Sequence, residues 1–248
     1  RNGPGLTYSK NGILKKNERL ETIGKENGWI HLKSQDSKTS GWAASWILKN
    51  GNKKIDKYGN ISQATIVLDP GHGGSDPGSL AKANSRDPKN FEKTYTILTA
   101  KATKKALEST GARVIMTRDS DKLLWPLSKI TNISKKYNAD AFISFHFDNF
   151  EIQGVANGFT TYYDNGKNSF QLAKTINSSF NDLPLQNRGV EVGDYYVLRE
   201  TTLPSVLLEM GYMNNPDDFK IIREKSYRKK IAADLKTSLV NWFNESDQ

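Results

Sequence analysis

From residue 64 onward, the chain alternates short apolar runs with stretches of helical periodicity. Apolar runs typical of buried strands occupy residues 66–68, 114–116 and 141–145, and a helical stretch that begins at Glu92 separates the first two. Strands that alternate with helices form parallel sheets with helices packed on their faces. We therefore predict a three-layer α/β domain that is built on a mostly parallel, twisted sheet.

The remaining elements of this domain follow from the same two periodicities. The C-terminal stretch has an apolar stripe at helical spacing, formed by Ile231, Leu235, Leu239 and Trp242. The other predicted elements are a helix at 127–137, a strand at 158–163, a helix at 168–180, and strands at 195–198 and 205–208. Neither an internal repeat nor a low-complexity tract interrupts this pattern.

The first fifty residues have a different pattern, in which turn signals recur about every ten residues. These turns are marked by the dipeptides Asn11-Gly12, Asn27-Gly28 and Ser40-Gly41. The spacing predicts a small all-β barrel at residues 1–50, with three of the five tryptophans in or near its core. Residues 51–63 are polar and glycine-bounded, so we predict a linker there and assign residues 64–248 to the α/β domain.

Composition excludes several kinds of chemistry. The chain has no cysteine, so disulfides, thiolate metal ligands and cysteine nucleophiles are all ruled out. No apolar run reaches the roughly 18 residues that a membrane span needs, so we predict none. The sequence starts at Arg1 without a charged-then-apolar leader, and we expect any export signal to have been removed or never included.

Positive charge is concentrated in the first quarter of the chain. Residues 1–63 carry a net charge of +7, compared with +2 for residues 64–248. A basic surface favours polyanions, so nucleic acid, anionic lipid and an anionic wall polymer are all candidate partners. Charge alone does not choose among these partners, and it is equally compatible with a solvated face that has no specific partner.

Three separate apolar runs are each followed directly by a residue that can bind a metal or move a proton. His72 and His146 follow two of the predicted strands, and Glu209 follows a third. In open α/β sheets, the carboxyl ends of the strands converge on one crevice. Glu92, at the start of the first helix, can reach the same edge. Two histidines and one glutamate form a typical catalytic zinc site, and the other glutamate would then transfer protons.

Each of these residues also has a purely structural interpretation. A histidine at the end of a strand is often only a satisfied polar residue, and Glu92 would favour a helix N-terminus through the helix dipole. Glu209 is harder to explain structurally, because it follows a buried apolar run where an unpaired carboxylate is costly. His31, the only other histidine, lies in the β-rich segment, where we expect a structural role.

The first fifty residues resemble a bacterial SH3 domain. The resemblance is carried by residues 1–5, Gly28-Trp29-Ile30, Gly41-Trp42-Ala43 and Trp46-Ile47-Leu48. That family commonly binds peptidoglycan or other wall components. The resemblance therefore implies a wall-binding domain, and the basic charge adds anionic wall polymers as further expected partners.

The α/β region resembles the zinc-dependent N-acetylmuramoyl-L-alanine amidases of the Amidase_3 family. The matching motifs are residues 66–78 (IVLDPGHGGSDPG), 92–93, 117–119, 144–146, 188–190, 204–212 (PSVLLEMGY) and 214–215. The resemblance implies a phosphorylase/hydrolase-like fold, zinc ligands at His72, Glu92 and His146, and a catalytic carboxylate at Glu209. The implied reaction is hydrolysis of the amide between N-acetylmuramic acid and L-alanine, with a zinc-activated water and Glu209 as general base and acid.

Three positions in two segments depart from the family pattern. Phe147-Asp148 follows the second histidine, where the family usually has a small residue and an asparagine, and Lys129 stands where an arginine is common. A third difference is the charged loop at residues 79–91, which is particular to this chain. These differences concern substrate contacts rather than the metal ligands, and the sequence assigns no substrate-binding residue.

These inferences predict an extracellular, cell-wall-associated enzyme that acts on peptidoglycan as a monomer. A host autolysin, a phage lysin and part of a larger hydrolase all fit the sequence. One alternative is a zinc peptidase or deacetylase that acts on another wall bond. Another alternative is a non-catalytic wall-binding protein or amidase regulator. Nucleic-acid binding is suggested only by the sequence pI of about 9.4, and we expect none.

Overall fold

The computed structural model describes residues 1–15, 17–35, 39–50, 53–164 and 166–245. The N-terminal region contains a three-stranded antiparallel sheet in the order β1-β2-β3. Asn27 and Gly28 form the β1–β2 turn with φ angles of 48° and 87°, as a two-residue hairpin requires. The strands are β1 (Leu20–Glu26), β2 (Trp29–Ser34) and β3 (Ser40–Ala44).

The structure has helices after this sheet, whereas the sequence pattern predicts the end of a β-barrel and then a linker. Helix α1 (Ser45–Asn50) contains Trp46, so the end of the predicted barrel is helical. Within the predicted linker, helix α2 (Lys53–Tyr58) leads into a 3₁₀ helix at Gly59–Gln63. Trp29, Ala44 and Ile47 form the small core of this region. The structure thus has a three-stranded sheet here, and the closed SH3 barrel remains a prediction.

The N-terminal region contacts the α/β region through aromatic and basic side chains. The indole nitrogen of Trp46 donates to the carbonyl of Ser62 at 2.9 Å. From the other side, the guanidinium of Arg113 donates to the carbonyl of Asn27 at 2.7 Å. The same guanidinium lies over the Trp46 ring, at 5.5 Å from its centroid. These contacts hold the small sheet against the first edge of the large one.

The α/β region contains a six-stranded sheet with helices on both faces. Its helices are α3 (Glu92–Glu108), α4 (Ser128–Lys136), α5 (Lys167–Ser179), α6 (Tyr196–Arg199), α7 (Pro216–Ile222) and α8 (Lys225–Glu245). Its strands are β4 (Thr65–Pro70), β5 (Arg113–Met116), β6 (Ala141–Asp148), β7 (Phe159–Tyr163), β8 (Asn187–Val192) and β9 (Ser205–Tyr212).

The strand order β5-β4-β6-β9-β7-β8 confirms a mixed, mostly parallel sheet. Strands β5, β4, β6 and β9 are parallel, and β7 pairs with β9 in the antiparallel direction. His146 on β6 pairs in register with Glu209 on β9. The topology therefore brings one predicted metal ligand and the predicted catalytic carboxylate side by side.

The two faces of the sheet are covered by different helices. Helices α3, α5 and α8 pack on one face over the larger core, whose fully buried side chains include Phe145, Phe159 and Phe180. Helices α4 and α6 contact the other face and enclose a smaller core around Val67, Phe142 and Leu207. In the described part of the chain, no helix is both long enough and apolar enough to cross a membrane.

Three elements of this region differ from the sequence-based assignment. The predicted strand at 195–198 is helix α6, whose apolar residues Val197 and Leu198 form a buried turn over the sheet. Strand β8 was not predicted, because it is a largely polar edge strand without an apolar run. Helix α7 was also not predicted, although Asn215 caps it and Pro216 opens it, which is a readable start signal.

Candidate metal centre

A glycine-rich turn at the end of β4 carries the first histidine of the site. His72 has a φ of 62°, a left-handed conformation that a residue with a side chain rarely adopts. Gly71 is required for a different reason, because a Cβ there would lie 2.2 Å from Cε1 of His146. The turn therefore lets the two imidazoles approach each other, and their ring centroids are 4.8 Å apart.

His72, Glu92 and His146 form one cluster, with ligand atoms that all lie within 4.8 Å of one another. Nε2 of His72 is 3.0 Å from Oε2 of Glu92. Nδ1 of His146 is 3.0 Å from the other oxygen, Oε1. The sequence-based expectation that these three residues share one site thus agrees with the structure, in which a single carboxylate contacts both imidazoles.

Glu92 is held by backbone groups as well as by the histidines. Its side chain is only 2% exposed, and it accepts hydrogen bonds from the amides of Ser79 at 2.7 Å and Phe147 at 2.9 Å. Burial alone would raise the pKa of Glu92, but the hydrogen bonds and charges of His146 and His72 keep that pKa well below its usual value. The carboxylate is therefore ionised in the folded protein.

Asp76 fixes the orientation of His72. Its Oδ2 lies 2.8 Å from Nδ1 of His72, and its Oδ1 accepts a hydrogen bond from the Gly78 amide at 3.0 Å. This contact leaves Nε2 of His72 directed at the cluster, in the arrangement usual for metal-binding histidines. Burial opposes protonation of His72, but Glu92 and then Asp76 outweigh it and raise the pKa of His72 to about 9.

Arg118 stabilises the glycine-rich turn after β4 through hydrogen bonds to its backbone carbonyls. Only 4% of the residue is exposed, and its guanidinium donates to the carbonyls of Pro70 at 2.9 Å and Gly71 at 2.8 Å. It also donates to Oγ1 of Thr96 at 3.0 Å, which ties α3 to the same turn. Sequence reasoning assigned no role to Asp76 or Arg118, although both lie in the motifs that carry the family resemblance.

Glu209 lies beside the cluster with one carboxylate oxygen unsatisfied. Its Oε2 is buried and makes no hydrogen bond to any residue that the structure describes. Burial, followed by the charges of Glu92 and Asp148, raises the pKa of Glu209 well above its usual value. A buried carboxylate oxygen without a partner is costly for a folded chain, so this group is suited to a ligand or to proton transfer.

A cavity of about 260 Å³ gives access to the cluster and to Glu209. One wall is the segment after β5, including Leu123, Leu124 and Trp125. The facing wall is the start of α6, with Tyr195 and Tyr196. His31 is on β2 of the small sheet and does not line this cavity; its ring stacks on Trp42 at 4.8 Å between ring centroids.

The residues of the cluster fit a divalent metal ion. Two imidazole nitrogens and a carboxylate oxygen are the donor set of many catalytic zinc sites, in which three protein ligands leave a further position open. Glu209 is not one of the three clustered residues, and its unsatisfied Oε2 makes no hydrogen bond to them. In its donor chemistry the cluster therefore fits a metal ion.

Comparison with known protein families identifies the α/β region. The profile of the Amidase_3 family, described as N-acetylmuramoyl-L-alanine amidase, matches residues 66–241. The chain belongs to the Amidase_3 family. The matched residues include His72, Glu92, His146 and Glu209, and they exclude the N-terminal sheet.

Curated relatives of this chain are named as probable cell wall amidases. A probable cell wall amidase LytH of Staphylococcus saprophyticus is 38% identical over 251 residues, which cover 99% of this chain and 81% of the relative. A probable cell wall amidase LytH of Staphylococcus aureus is 35% identical and covers 98% of this chain and 81% of the relative. In both cases the similarity includes the N-terminal region as well as the Amidase_3 region.

Solved structures of amidases have the same fold. The N-acetylmuramoyl-L-alanine amidase AmiC2 of Nostoc punctiforme superposes with a TM-score of 0.67 at 27% identity, covering 73% of this chain and 97% of that one. The CwlD amidase of Clostridioides difficile, solved in complex with the GerS lipoprotein, gives a TM-score of 0.67 at 30% identity. That match covers 73% of this chain and 99% of the CwlD chain.

Proposed function

We propose that this chain is a peptidoglycan amidase that hydrolyses the bond between the lactyl group of N-acetylmuramic acid and L-alanine of the stem peptide. Membership of the Amidase_3 family supports the reaction class. The observation that carries the proposal is the convergence of His72, Glu92 and His146 within 4.8 Å, beside a buried carboxylate oxygen of Glu209 that has no described partner.

The cluster would hold zinc through Nε2 of His72, Nδ1 of His146 and the carboxylate of Glu92. When bound, zinc supplies Lewis acidity, which makes water a better nucleophile near neutral pH and polarises a carbonyl group. The protein contributes a preformed set of ligands, because Asp76 orients His72 and the Ser79 and Phe147 amides hold Glu92. Arg118 and Gly71 keep the turn in the conformation that this set requires.

Glu209 would act as general base and then as general acid. In this reaction the oxygen of water bonds to the lactyl carbonyl carbon, and the bond from that carbon to the alanine nitrogen breaks. Glu209 takes one proton from the attacking water and delivers it to the departing amine, so that a carboxylic acid and a free amino terminus result. The raised pKa of Glu209, caused first by its burial, suits a group that must both accept and release a proton.

We further propose that residues 1–50 form a wall-binding domain of the bacterial SH3 type, joined through residues 51–63 to the catalytic domain at 64–248. The net charge of +7 on residues 1–63 supports binding to anionic wall polymers. Such binding would place the enzyme outside the cell, on its substrate, as a wall-associated autolysin. We expect binding to purified walls to weaken with salt and to fall further when the anionic polymers are stripped from the walls.

Substitution Glu209→Gln tests the catalytic assignment. The amide keeps the size of the side chain but cannot take a proton, so we expect hydrolysis to fall by about 10²–10⁴-fold while bound zinc stays near one equivalent. Glu108→Gln, an exposed change near the end of α3, is the matched control and should keep full activity. A Glu209→Gln protein that binds zinc and digests walls at the wild-type rate would refute the assigned role.

Product analysis separates this proposal from its rivals. An amidase releases stem peptides that begin with a free L-alanine and leaves the glycan strands intact. A peptidase would instead cut within the peptide, and a deacetylase would release acetate from the sugar. A non-catalytic wall-binding protein would bind the walls and release nothing. Mass spectrometry of the soluble products distinguishes all four outcomes.

A further inference from the structure

An exposed tryptophan lies at the rim of the catalytic cavity. Trp125 is 65% exposed, and it lines the cavity together with Leu123, which is 40% exposed. Its ring forms no stacking pair with another aromatic residue in the described part of the chain. A large apolar side chain that contributes little to the core, beside a catalytic site, indicates a contact with a ligand.

The sheet order places this wall at one end of the site. Trp125 follows β5, which is the edge strand, and His72 follows the neighbouring strand β4. Next in order come His146 on β6 and Glu209 on β9, and the far edge is β8. A substrate that reaches His72, His146 and Glu209 through the cavity therefore passes close to Trp125.

The Leu123–Trp125 segment presents apolar side chains to the cavity. The charged residues just before it are Asp121, which pairs with Lys93 at 2.8 Å, and the exposed Lys122, which does not line the cavity. This part of the wall is thus suited to an uncharged ring with an apolar face.

We propose that Trp125 stacks on the sugar ring that carries the lactyl group. This inference rests on the proposed function, because it uses the bond that the enzyme would cleave. The muramyl ring is uncharged and presents C–H groups on one face, which pack well on an aromatic ring.

Two synthetic substrates test the contact between Trp125 and the sugar ring. Both contain the same stem peptide, but one has the complete muramyl sugar and the other has only a D-lactoyl group in its place. We expect Trp125→Ala to raise KM for the muramyl peptide by about 5–10-fold with little change in kcat, since stacking contributes to ground-state binding. KM for the D-lactoyl peptide should not change, because that substrate has no ring to stack.

Control variants separate stacking from a general disturbance of the site. Trp125→Phe keeps an aromatic face, so we expect KM for the muramyl peptide to rise only about 2-fold. Leu98→Ala removes an exposed apolar side chain on α3, outside the cavity, and should leave both substrates unchanged. Equal effects of Trp125→Ala on the two substrates would overturn the sugar contact.

A binding measurement decides the same point without turnover. Calorimetric titration of the Glu209→Gln protein with peptide-free glycan oligomers should show binding that weakens about 5–10-fold in the Glu209→Gln, Trp125→Ala double variant. Equal affinity of the two proteins, or binding to neither, would refute the proposal. If the wild type hydrolyses neither synthetic substrate, the proposed function fails, and this titration still decides whether Trp125 binds the glycan.

Discussion

His146 and Glu92 lie 54 residues apart in the chain, yet Nδ1 of the histidine is 3.0 Å from Oε1 of the glutamate. The other oxygen of Glu92 is 3.0 Å from Nε2 of His72, so one buried carboxylate links the ends of two neighbouring strands. Backbone amides hold this carboxylate independently of the histidines. The ligand set is therefore organised by the fold itself, and its geometry depends on a few neighbouring residues that can be changed singly.

Asp76→Asn tests the orientation of His72. The amide oxygen can still accept from Nδ1, but the negative charge that strengthens this hydrogen bond is lost. We expect zinc affinity to fall by about 10–100-fold, as for other residues that orient metal ligands. Competition with a chromophoric chelator measures the change, and Asp217→Asn, at an exposed position in α7, is the control. Unchanged affinity would show that His72 does not need this partner.

Gly71→Ala tests the close approach between the glycine turn and His146. A Cβ at this position would lie 2.2 Å from Cε1 and 2.3 Å from Nε2 of the imidazole, so the ring must move. A displacement of about 1 Å in a catalytic site costs on the order of 100-fold in rate, and we expect a loss of that size. Gly12→Ala is the matched control, because no atom lies within 4 Å of a Cβ added there. Wild-type activity of Gly71→Ala would contradict the described packing.

Arg113→Ala tests the attachment of the N-terminal sheet. The guanidinium donates to the Asn27 carbonyl at 2.7 Å and lies over the rings of Trp46 and Tyr137. Loss of these contacts should lower the free energy of unfolding by about 2 kcal/mol in urea titrations. Arg86→Ala, at an exposed loop position, should have no effect. If both variants unfold at the wild-type urea concentration, Arg113 does not anchor the small sheet.

Asp140→Asn tests the pH dependence of stability. Burial raises the pKa of Asp140 to about 6, although the amides of Thr65 and Leu6 and the charge of Arg1 act in the opposite direction. Between pH 4 and 6 the folded chain therefore binds more protons at this site than the unfolded chain, and its contribution to stability falls as pH rises. The asparagine of the variant does not ionise, so the Tm of the Asp140→Asn variant minus the Tm of the wild type should increase from pH 4 to pH 7.

The expected stabilisation at pH 7 is about 1 kcal/mol, because the Asp140 side chain retains some contact with water. Thermal unfolding monitored at pH 4, 5, 6 and 7 gives the comparison. Asp182→Asn, at an exposed loop position, should follow the wild type throughout. A difference between Asp140→Asn and the wild type that stays constant with pH would show that Asp140 ionises normally in the folded protein.

Much of the fold and the position of the cluster could be predicted from the sequence. Buried parallel strands appear in a sequence as continuous apolar runs, so β4, β6 and β9 could be predicted. His72, His146 and Glu209 could be predicted as site residues because each follows one of these runs. Parallel strands bring such residues to one edge whatever their separation along the chain. Glu92 was placed at a helix start, which is where the structure has it.

Other features depend on contacts that no local pattern records. The apolar segment at α6 predicts a strand, because a short buried helix and a short buried strand have the same composition. Strand β8 is held by pairing with β7 rather than by an apolar run. The roles of Asp76 and Arg118, and the unsatisfied oxygen of Glu209, arise only when distant segments meet.

Digestion of purified peptidoglycan with and without bound metal tests the central claim most directly. The protein is stripped with a chelator, reloaded with one equivalent of zinc, and its soluble products are identified by mass spectrometry. We predict stem peptides with a free N-terminal L-alanine and intact glycan from the zinc-loaded protein, and no release from the stripped one. Equal release of these peptides by the stripped protein, or cleavage at any other bond, would contradict the proposed zinc amidase.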